Sequence, residues 1–189
     1  MYAQAERDYK DGNMNEVASL TRDILATQPD HAKAHALVGL SYFRAGKYAN
    51  AVASLAKAVA LGEKINIPIK HHHKILFNDD LCEGYLTFGK DTFEFHSTNR
   101  SGHDFAVPLD KVYLITAAAD RGGRLQIKIG IAKEKKEDKK DYNFHPFRAG
   151  LAQDTTQGLI KAVCNDCQGE VQALQQLLQE IKQGAATAP

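Results

Sequence analysis

The amino-terminal third of the chain repeats itself at a fixed interval. Gly12 and Gly46 lie 34 residues apart, and the same interval separates Met14 from Tyr48. Between these positions apolar residues recur every three or four residues, which predicts helices. A period of this length is typical of stacked helical units. We therefore expect residues 1–63 to form four antiparallel helices, arranged as two hairpins around two glycine turns.

The second repeat indicates which kind of helical unit this is. The residues that carry its pattern are Val38, Gly39, Tyr42, Gly46, Tyr48, Ala51, Leu55 and Ala58. The pattern resembles the tetratricopeptide repeat, in which a glycine turn joins two helices. The resemblance implies that Gly39 and Ala51 are small where two helices cross. It also implies that Gly46 supplies a left-handed turn and that Pro29 separates the repeats.

From Ile65 onward the pattern becomes that of short strands. Pro68 excludes a continuing helix, and apolar residues begin to alternate with others. The candidate strands are 81–88, 92–97, 105–109, 112–117, 125–131 and 142–147. The turn at 89–91 lies between two alternating segments and predicts a β-hairpin. We expect residues 64–75 to connect the helical repeats to a β-domain at 76–183.

The order of these elements resembles the pleckstrin-homology-like superfold, a bent antiparallel β-barrel closed by its last helix. The residues that carry this resemblance are Cys82–Phe88, Thr92–Phe95, Phe105–Leu109, Val112, Leu125–Lys128 and Tyr142–Phe144. Together the two resemblances imply an α+β chain with tetratricopeptide-like hairpins followed by a capped barrel. Domains of this superfold bind phosphoinositides, peptides or proteins, so the fold alone does not select a ligand.

The capping helix is predicted at residues 155–182. Its apolar stripe consists of Ile160, Val163, Cys167, Val171, Leu174, Leu178 and Ile181, which step by three or four residues. We expect Leu174 and Leu178 to be buried against strand residues such as Phe93 or Val112. The small and polar residues 184–189 are expected to be disordered.

Charge and cysteine content narrow the classes of function. The chain has 24 basic and 23 acidic residues, a net charge of +1, so we do not expect it to bind nucleic acid. No segment approaches the roughly 20 apolar residues that span a bilayer. Three cysteines without an apolar leader are typical of a reducing compartment. We therefore expect a cytoplasmic protein.

Two short motifs are candidate metal sites. His71, His72 and His73 are consecutive, but side chains on a strand alternate, so only His71 and His73 would converge. Without a third ligand we interpret them as a surface pair that binds no metal. Cys164 and Cys167 form a single CxxC, whereas structural zinc usually requires four ligands. We interpret both cysteines as small apolar residues on a packing face, and we expect no cofactor.

The sequence therefore favours a non-catalytic scaffold that binds a protein or peptide. It contains no phosphate-binding glycine loop, HExxH, GxSxG or paired-carboxylate signature. If the repeats are tetratricopeptide-like, the first helix of each hairpin lines a binding groove. The predicted groove residues are Tyr9, Lys10, Ala36, Leu40, Phe43 and Arg44. Packing of Tyr9 and Phe43 against a neighbouring element explains these two residues equally well.

The alternative function is binding of anionic lipid at a membrane surface through the β-domain. The basic residues that would contact the headgroups are Lys70, Lys74, Arg121, Arg124 and Lys128. The 89–91 turn, however, carries one lysine beside an acid, which departs from the headgroup-binding pattern of pleckstrin-homology domains. The sequence does not identify the partner or fix the oligomeric state.

Overall fold

The computed structural model describes the backbone of residues 1–75, 78–99, 102–119, 125–132, 139–146, 150–154, 159–163 and 168–186. Within these ranges, side chains are described for 1–71, 82–99, 102–116, 128–132, 142–144 and 168–184.

Four helices occupy the amino-terminal third, as the 34-residue period predicts. They are α1 (Tyr2–Asp11), α2 (Met14–Thr27), α3 (Ala32–Arg44) and α4 (Tyr48–Ala60). Each helix packs on the next, and α1 also packs on α3. At the start of α3, Nδ1 of His31 accepts a hydrogen bond from the backbone N–H of Ala34 at 3.1 Å, which satisfies one donor of the first turn.

The glycines of the repeat have the roles that the pattern assigns to them. Gly12 and Gly46 adopt φ of +86° and +76°, the left-handed region that ends a helix without steric cost. Gly39 lies where α3 crosses α4. A Cβ at this position would lie 2.7 Å from Cγ and Cδ2 of Leu55, so only glycine permits the close approach. The two helices of the second hairpin are therefore closely packed, with Ala51 also fully buried.

Seven strands follow and form one antiparallel sheet in the order β4-β3-β2-β1-β7-β6-β5. The strands are β1 (Ile65–Ile75), β2 (Asn78–Phe88), β3 (Thr92–Ser97), β4 (Phe105–Pro108), β5 (Val112–Ala119), β6 (Leu125–Ala132) and β7 (Lys139–Pro146). A short 3-10 helix, Leu109–Lys111, joins β4 to β5. Strands β2 to β7 each overlap a predicted strand, whereas β1 fills most of the segment that was expected to be a connector.

One face of this sheet is apolar and buried. Its inward-facing residues are Ile65, Ile67, Ile69, Cys82, Leu86, Phe93, Phe95, Val112, Ile115, Ile129, Ile131 and Phe144. Residues between them on the strands, such as Asn66, Glu83 and Tyr85, are exposed. This alternation places alternate side chains of each strand in the core and makes the strand register specific.

The sheet is not closed into a barrel, which corrects the expectation of a partly open barrel capped by the last helix. The strand order ends at β4 on one side and at β5 on the other. Closure would require these two edges to pair with a consistent tilt and stagger along the whole sheet. Strand β4 has only four residues, all of which pair with β3. Strand number alone, which the sequence indicated, does not determine whether the edges meet.

The predicted carboxy-terminal helix begins later than expected. Residues Gly150–Asp154 and Leu159–Val163 form a two-stranded antiparallel sheet, β8 and β9, and α5 spans Gln168–Ala186. Ile160 and Val163 therefore lie on a strand, which β-branched residues favour. From Val171 to Ile181 the apolar stripe is helical and buried, as predicted, including Leu174 and Leu178. The helix also continues into the tail that was expected to be disordered.

The chain divides into two compact units. The helical unit comprises Met1–Ile65, Phe88–Asp91 and Gln176–Pro189, and the sheet unit comprises Asn66–Thr87 and Thr92–Gln175. The second half of α5 therefore belongs to the helical unit, whereas we expected the whole helix to cap the β-domain. Among the described helices, none combines the length and apolar character that a membrane span requires.

Candidate functional sites

The predicted groove residues on α3 share one side of that helix. Ala36, Leu40 and Phe43 are spaced by four and three residues, and all three are partly exposed. The opposite side of α3 is buried and contains Ala34, Leu37, Val38 and Ser41. We call the surface formed by Ala36, Leu40, Phe43 and Arg44 of α3, together with Tyr9 and Lys10 of α1, the α1–α3 face.

Arg44 connects the two helices of this face. Its guanidinium carbon lies 5.7 Å from the centre of the Tyr9 ring, and Nη1 donates a hydrogen bond to the backbone oxygen of Tyr9 at 3.2 Å. The ring face attracts the cation, and the carbonyl lies in the last turn of α1, where the helix dipole favours positive charge. The exposed Lys10 follows Tyr9 on the same helix. The structure therefore brings together Tyr9 of α1 and Arg44 of α3, two of the six predicted groove residues.

Both aromatic residues of the face also take part in packing. Tyr9 packs against the core cluster of Ala5, Val17 and Leu37. The ring of Phe43 meets that of Tyr48 edge-on, with 5.4 Å between centroids. Packing against neighbouring residues thus explains part of the buried surface of both side chains, which is the alternative that the sequence left open. The exposed cations Lys10 and Arg44 are the part of the face with the most contact with solvent.

Two of the five basic residues predicted to contact lipid have described side chains. Lys70 on β1 pairs with His145 of β7, and Lys128 on β6 pairs with Asn143 of the same strand. Paired residues point to the same side of a sheet, and residues 143 and 145 share a side. Lys70 and Lys128 therefore lie on the same, outward face. The side chains of Lys74, Arg121 and Arg124 lie outside the described residues.

A third group of residues was not predicted as a site. His71, Cys82 and His103 each place one potential ligand atom so that the three atoms lie within 4.8 Å of one another. His71 comes from β1, Cys82 from β2 and His103 from the loop between β3 and β4. Cys82 is fully buried, and Nδ1 of both histidines is shielded from solvent. We call this group the His-Cys-His cluster.

Aromatic rings surround the His-Cys-His cluster. The centroid of the His71 ring lies 4.9 Å from that of Phe144 and 5.2 Å from that of Phe95. The ring of Tyr142 is 6.1 Å from His71 and 4.3 Å from Phe105. These rings hold the His71 imidazole in place and give the cluster an apolar surrounding.

Hydrogen bonds hold the loop that carries His103. At its start, the backbone N–H and Oγ1 of Thr98 both donate to the carbonyl oxygen of Glu83, at 2.8 and 3.0 Å. At its end, Oδ1 of Asp104 accepts from the backbone N–H of Ser97 at 2.8 Å. Glu83 follows Cys82 in sequence, and Asp104 follows His103. The same bonds therefore fix the two ligand-bearing segments relative to each other.

The expectation that His71 is a surface residue is wrong. His71 pairs with Phe144 across β1 and β7 and faces the apolar side of the sheet, because paired residues share a side. Alternation on β2 signals that Cys82 faces inward, but no sequence pattern links it to His103. The side chains of His72 and His73 and the residues Cys164 and Cys167 lie outside the described residues, so their predictions remain untested.

Within the helical unit, a small cleft lies between α4 and the end of α5. Its lining includes Ala56, Val59 and Ala60 from α4 and Glu180, Ile181 and Gly184 from α5. The volume is about 70 Å³, well below the roughly 300–1,000 Å³ of sites that bind drug-sized molecules. The cleft therefore reflects helix packing rather than a small-molecule site.

Comparison with known proteins does not identify a relative. No protein-family model matches the chain, and no curated protein is significantly similar to it. The functional argument therefore depends on the geometry of the α1–α3 face, the sheet and the His-Cys-His cluster.

Proposed function

We propose that this protein is a non-catalytic interaction module whose α1–α3 face binds an acidic segment of another protein. The observation that carries the proposal is the contact of Arg44 with Tyr9, which fixes an exposed cation between the two helices. The resemblance of the hairpins to tetratricopeptide repeats supports it, because the first helices of such hairpins line a peptide groove. The sheet unit, whose sequence resembles that of pleckstrin-homology-like domains, would be a second binding platform.

Charge determines which partner suits the α1–α3 face. Lys10 and Arg44 are exposed, next to the partly apolar surface of Leu40 and Phe43. Three acidic residues, Glu6, Asp8 and Asp11, lie on the same helix. Glu6 forms a hydrogen bond with the Tyr2 hydroxyl, and the Asp8 carboxylate accepts hydrogen bonds from side chains nearby on the chain. A segment with acidic residues flanking an apolar one would match this arrangement. Aromatic and arginine side chains are also the types that contribute most to binding energy at interfaces.

A peptide selection tests the proposal and also shows which partner sequences the face prefers. Peptides selected from a random library on the full chain should be enriched in Asp and Glu, and their affinity should fall with salt. Lys10→Glu with Arg44→Glu should weaken the selected peptides at least about tenfold, which equals about 1.4 kcal/mol. Arg22→Glu, a charge reversal at an exposed position of α2, is the matched control and should retain binding.

Two results would contradict the proposal. One is selection of peptides without acidic enrichment, and the other is equal binding by the double variant and the Arg22→Glu control. Because Arg44 also contacts the end of α1, circular dichroism must show that the double variant keeps its helices. Lys10→Glu alone, at an exposed position, separates loss of binding from loss of folding.

The second candidate function is binding of an anionic membrane surface through the sheet unit. The observation in its favour is that Lys70 and Lys128 share the outward face on either side of β7. Each basic residue near an anionic surface contributes about 1 kcal/mol. In vesicle flotation, salt-sensitive binding to phosphatidylserine that is lost in Lys70→Glu with Lys128→Glu would favour this function. Lys33→Glu, at an exposed position of α3, is its control.

A further inference from the structure

We propose that His71, Cys82 and His103 bind one divalent cation of the zinc class. Imidazole nitrogen and thiolate sulfur are the ligands that zinc prefers in proteins. Here two imidazoles and one thiol converge from three separate segments of the chain, with their ligand atoms within 4.8 Å of one another. This proposal goes beyond the interaction function and does not depend on it.

The distances in the cluster suit closure around an ion. With Zn–N of about 2.0–2.1 Å and Zn–S of about 2.3 Å, ligand atoms of a tetrahedral site lie roughly 3.4–3.6 Å apart. The ligand atoms of the cluster lie at most 4.8 Å apart, so the largest separation exceeds that of a tetrahedral site by about 1 Å. Small side-chain rotations can close this difference. The loop tied to Glu83 and Ser97 already holds His103 beside Cys82. Binding therefore requires local adjustment and no change of fold.

The apolar surroundings disfavour a thiolate on its own but strengthen its attraction to a bound metal ion. Phe95 and Phe144 flank His71 and keep water from that side, so the attraction between a thiolate and a cation is stronger than in water. On binding, the Cys82 thiol loses its proton to solvent and its sulfur becomes a ligand. Three protein ligands leave one tetrahedral position for water, as in zinc sites that are not purely structural.

Cobalt substitution tests the proposal directly. The untagged full chain, reduced and stripped of metal, is titrated with Co²⁺, and the thiolate-to-cobalt charge-transfer absorption is recorded. We expect one Co²⁺ per chain, displaced by Zn²⁺. Cys82→Ala should abolish the charge-transfer absorption, and His103→Ala should weaken Co²⁺ binding at least about tenfold, since even outer-shell changes cost that much. Zinc content measured by mass spectrometry should be highest in the wild-type chain, lower in His103→Ala and lowest in Cys82→Ala.

Two controls locate the site. His96→Ala should retain binding, because the exposed His96 bonds to Glu94 and lies outside the cluster. Cys164→Ala with Cys167→Ala should also retain the absorption. Absence of a charge-transfer band in the wild-type chain would overturn the proposal, and that measurement requires no variant. An unchanged band in Cys82→Ala, or its loss in the Cys164 and Cys167 variant, would equally overturn it.

Discussion

Replacement of Gly84 by alanine is the sharpest test of the packing of the sheet. Gly84 lies on β2, two residues after Cys82. A Cβ added there would overlap the backbone oxygen of His96 and would lie 2.7 and 2.8 Å from Cε2 and Cζ of Phe95. Phe95 is fully buried, so its ring has no solvent-filled space to enter. The added methyl group would therefore collide both with the backbone of β3 and with a buried side chain of that strand.

Two opposing effects determine the magnitude. Alanine is favoured over glycine in a strand by roughly 0.5–1 kcal/mol, because glycine loses more backbone entropy on folding. Overpacking of a close-packed core costs about 1–3 kcal/mol, occasionally more. Because a backbone oxygen cannot rotate away as a side chain can, we expect a net loss of about 2 kcal/mol. For a chain of this length that loss corresponds to a fall in Tm of about 4–8 °C.

Gly184→Ala is the matched control. Gly184 lies in α5, and no atom lies within 4 Å of its added Cβ. The same substitution should there stabilise the protein by up to about 1 kcal/mol through helix propensity. Thermal denaturation followed by circular dichroism should show a lower Tm for Gly84→Ala and a higher Tm for Gly184→Ala. Hydrogen exchange should show lost protection in β2 and β3 of the Gly84→Ala protein. A Gly84→Ala protein that is as stable as the wild type would refute the packing argument.

Two further predictions concern the helical unit. Leu178 is buried in the half of α5 that groups with this unit. Leu178→Ala should therefore lower the free energy of unfolding by about 2–5 kcal/mol and reduce hydrogen-exchange protection in α3 and α4. Loss of protection confined to the sheet would contradict the grouping of this half of α5 with the helical unit. Burial, together with the charge of Glu6, raises the pKa of Tyr2 to about 12 from 10.0. Between these values the folded chain keeps the phenol proton while the unfolded chain has lost it, so stability should fall as pH rises from 10 to 12. Tyr2→Phe should flatten that fall in urea denaturation, and an unchanged pH profile would show that Tyr2 is not responsible.

The helical part of the fold was predictable because its signal is local. The interval between Gly12 and Gly46 fixes both turns, and the small residue at Gly39 marks a crossing that the structure confirms. The strands were predictable for the same reason, since β3 at Thr92–Ser97 has the predicted bounds. Where two periodicities competed, the prediction failed: Ile160 and Val163 fit a helical stripe, yet they lie on β9.

Features that depend on pairing between distant segments were not predictable. Whether β4 meets β5 depends on tilt and stagger, which no local pattern encodes. The His-Cys-His cluster requires β1 beside β2 and a particular course of the loop that carries His103. The sequence therefore indicated His71 but pointed to a partner only two residues away, at His73. The contact of Arg44 with Tyr9 joins positions that the repeat pattern had already assigned to one face.

The central position of β1 has a consequence for synthesis of the chain. Ile69 pairs with Pro146, so one edge of β1 stays open until β7 has left the ribosome, whereas α1 to α4 make mostly local contacts and can fold earlier. During that interval the emerging meander of β1 to β4 presents an apolar strand with an unpaired edge. Such edges recruit other strands, which makes this the stage at which nascent chains are most exposed to aggregation and to chaperone binding.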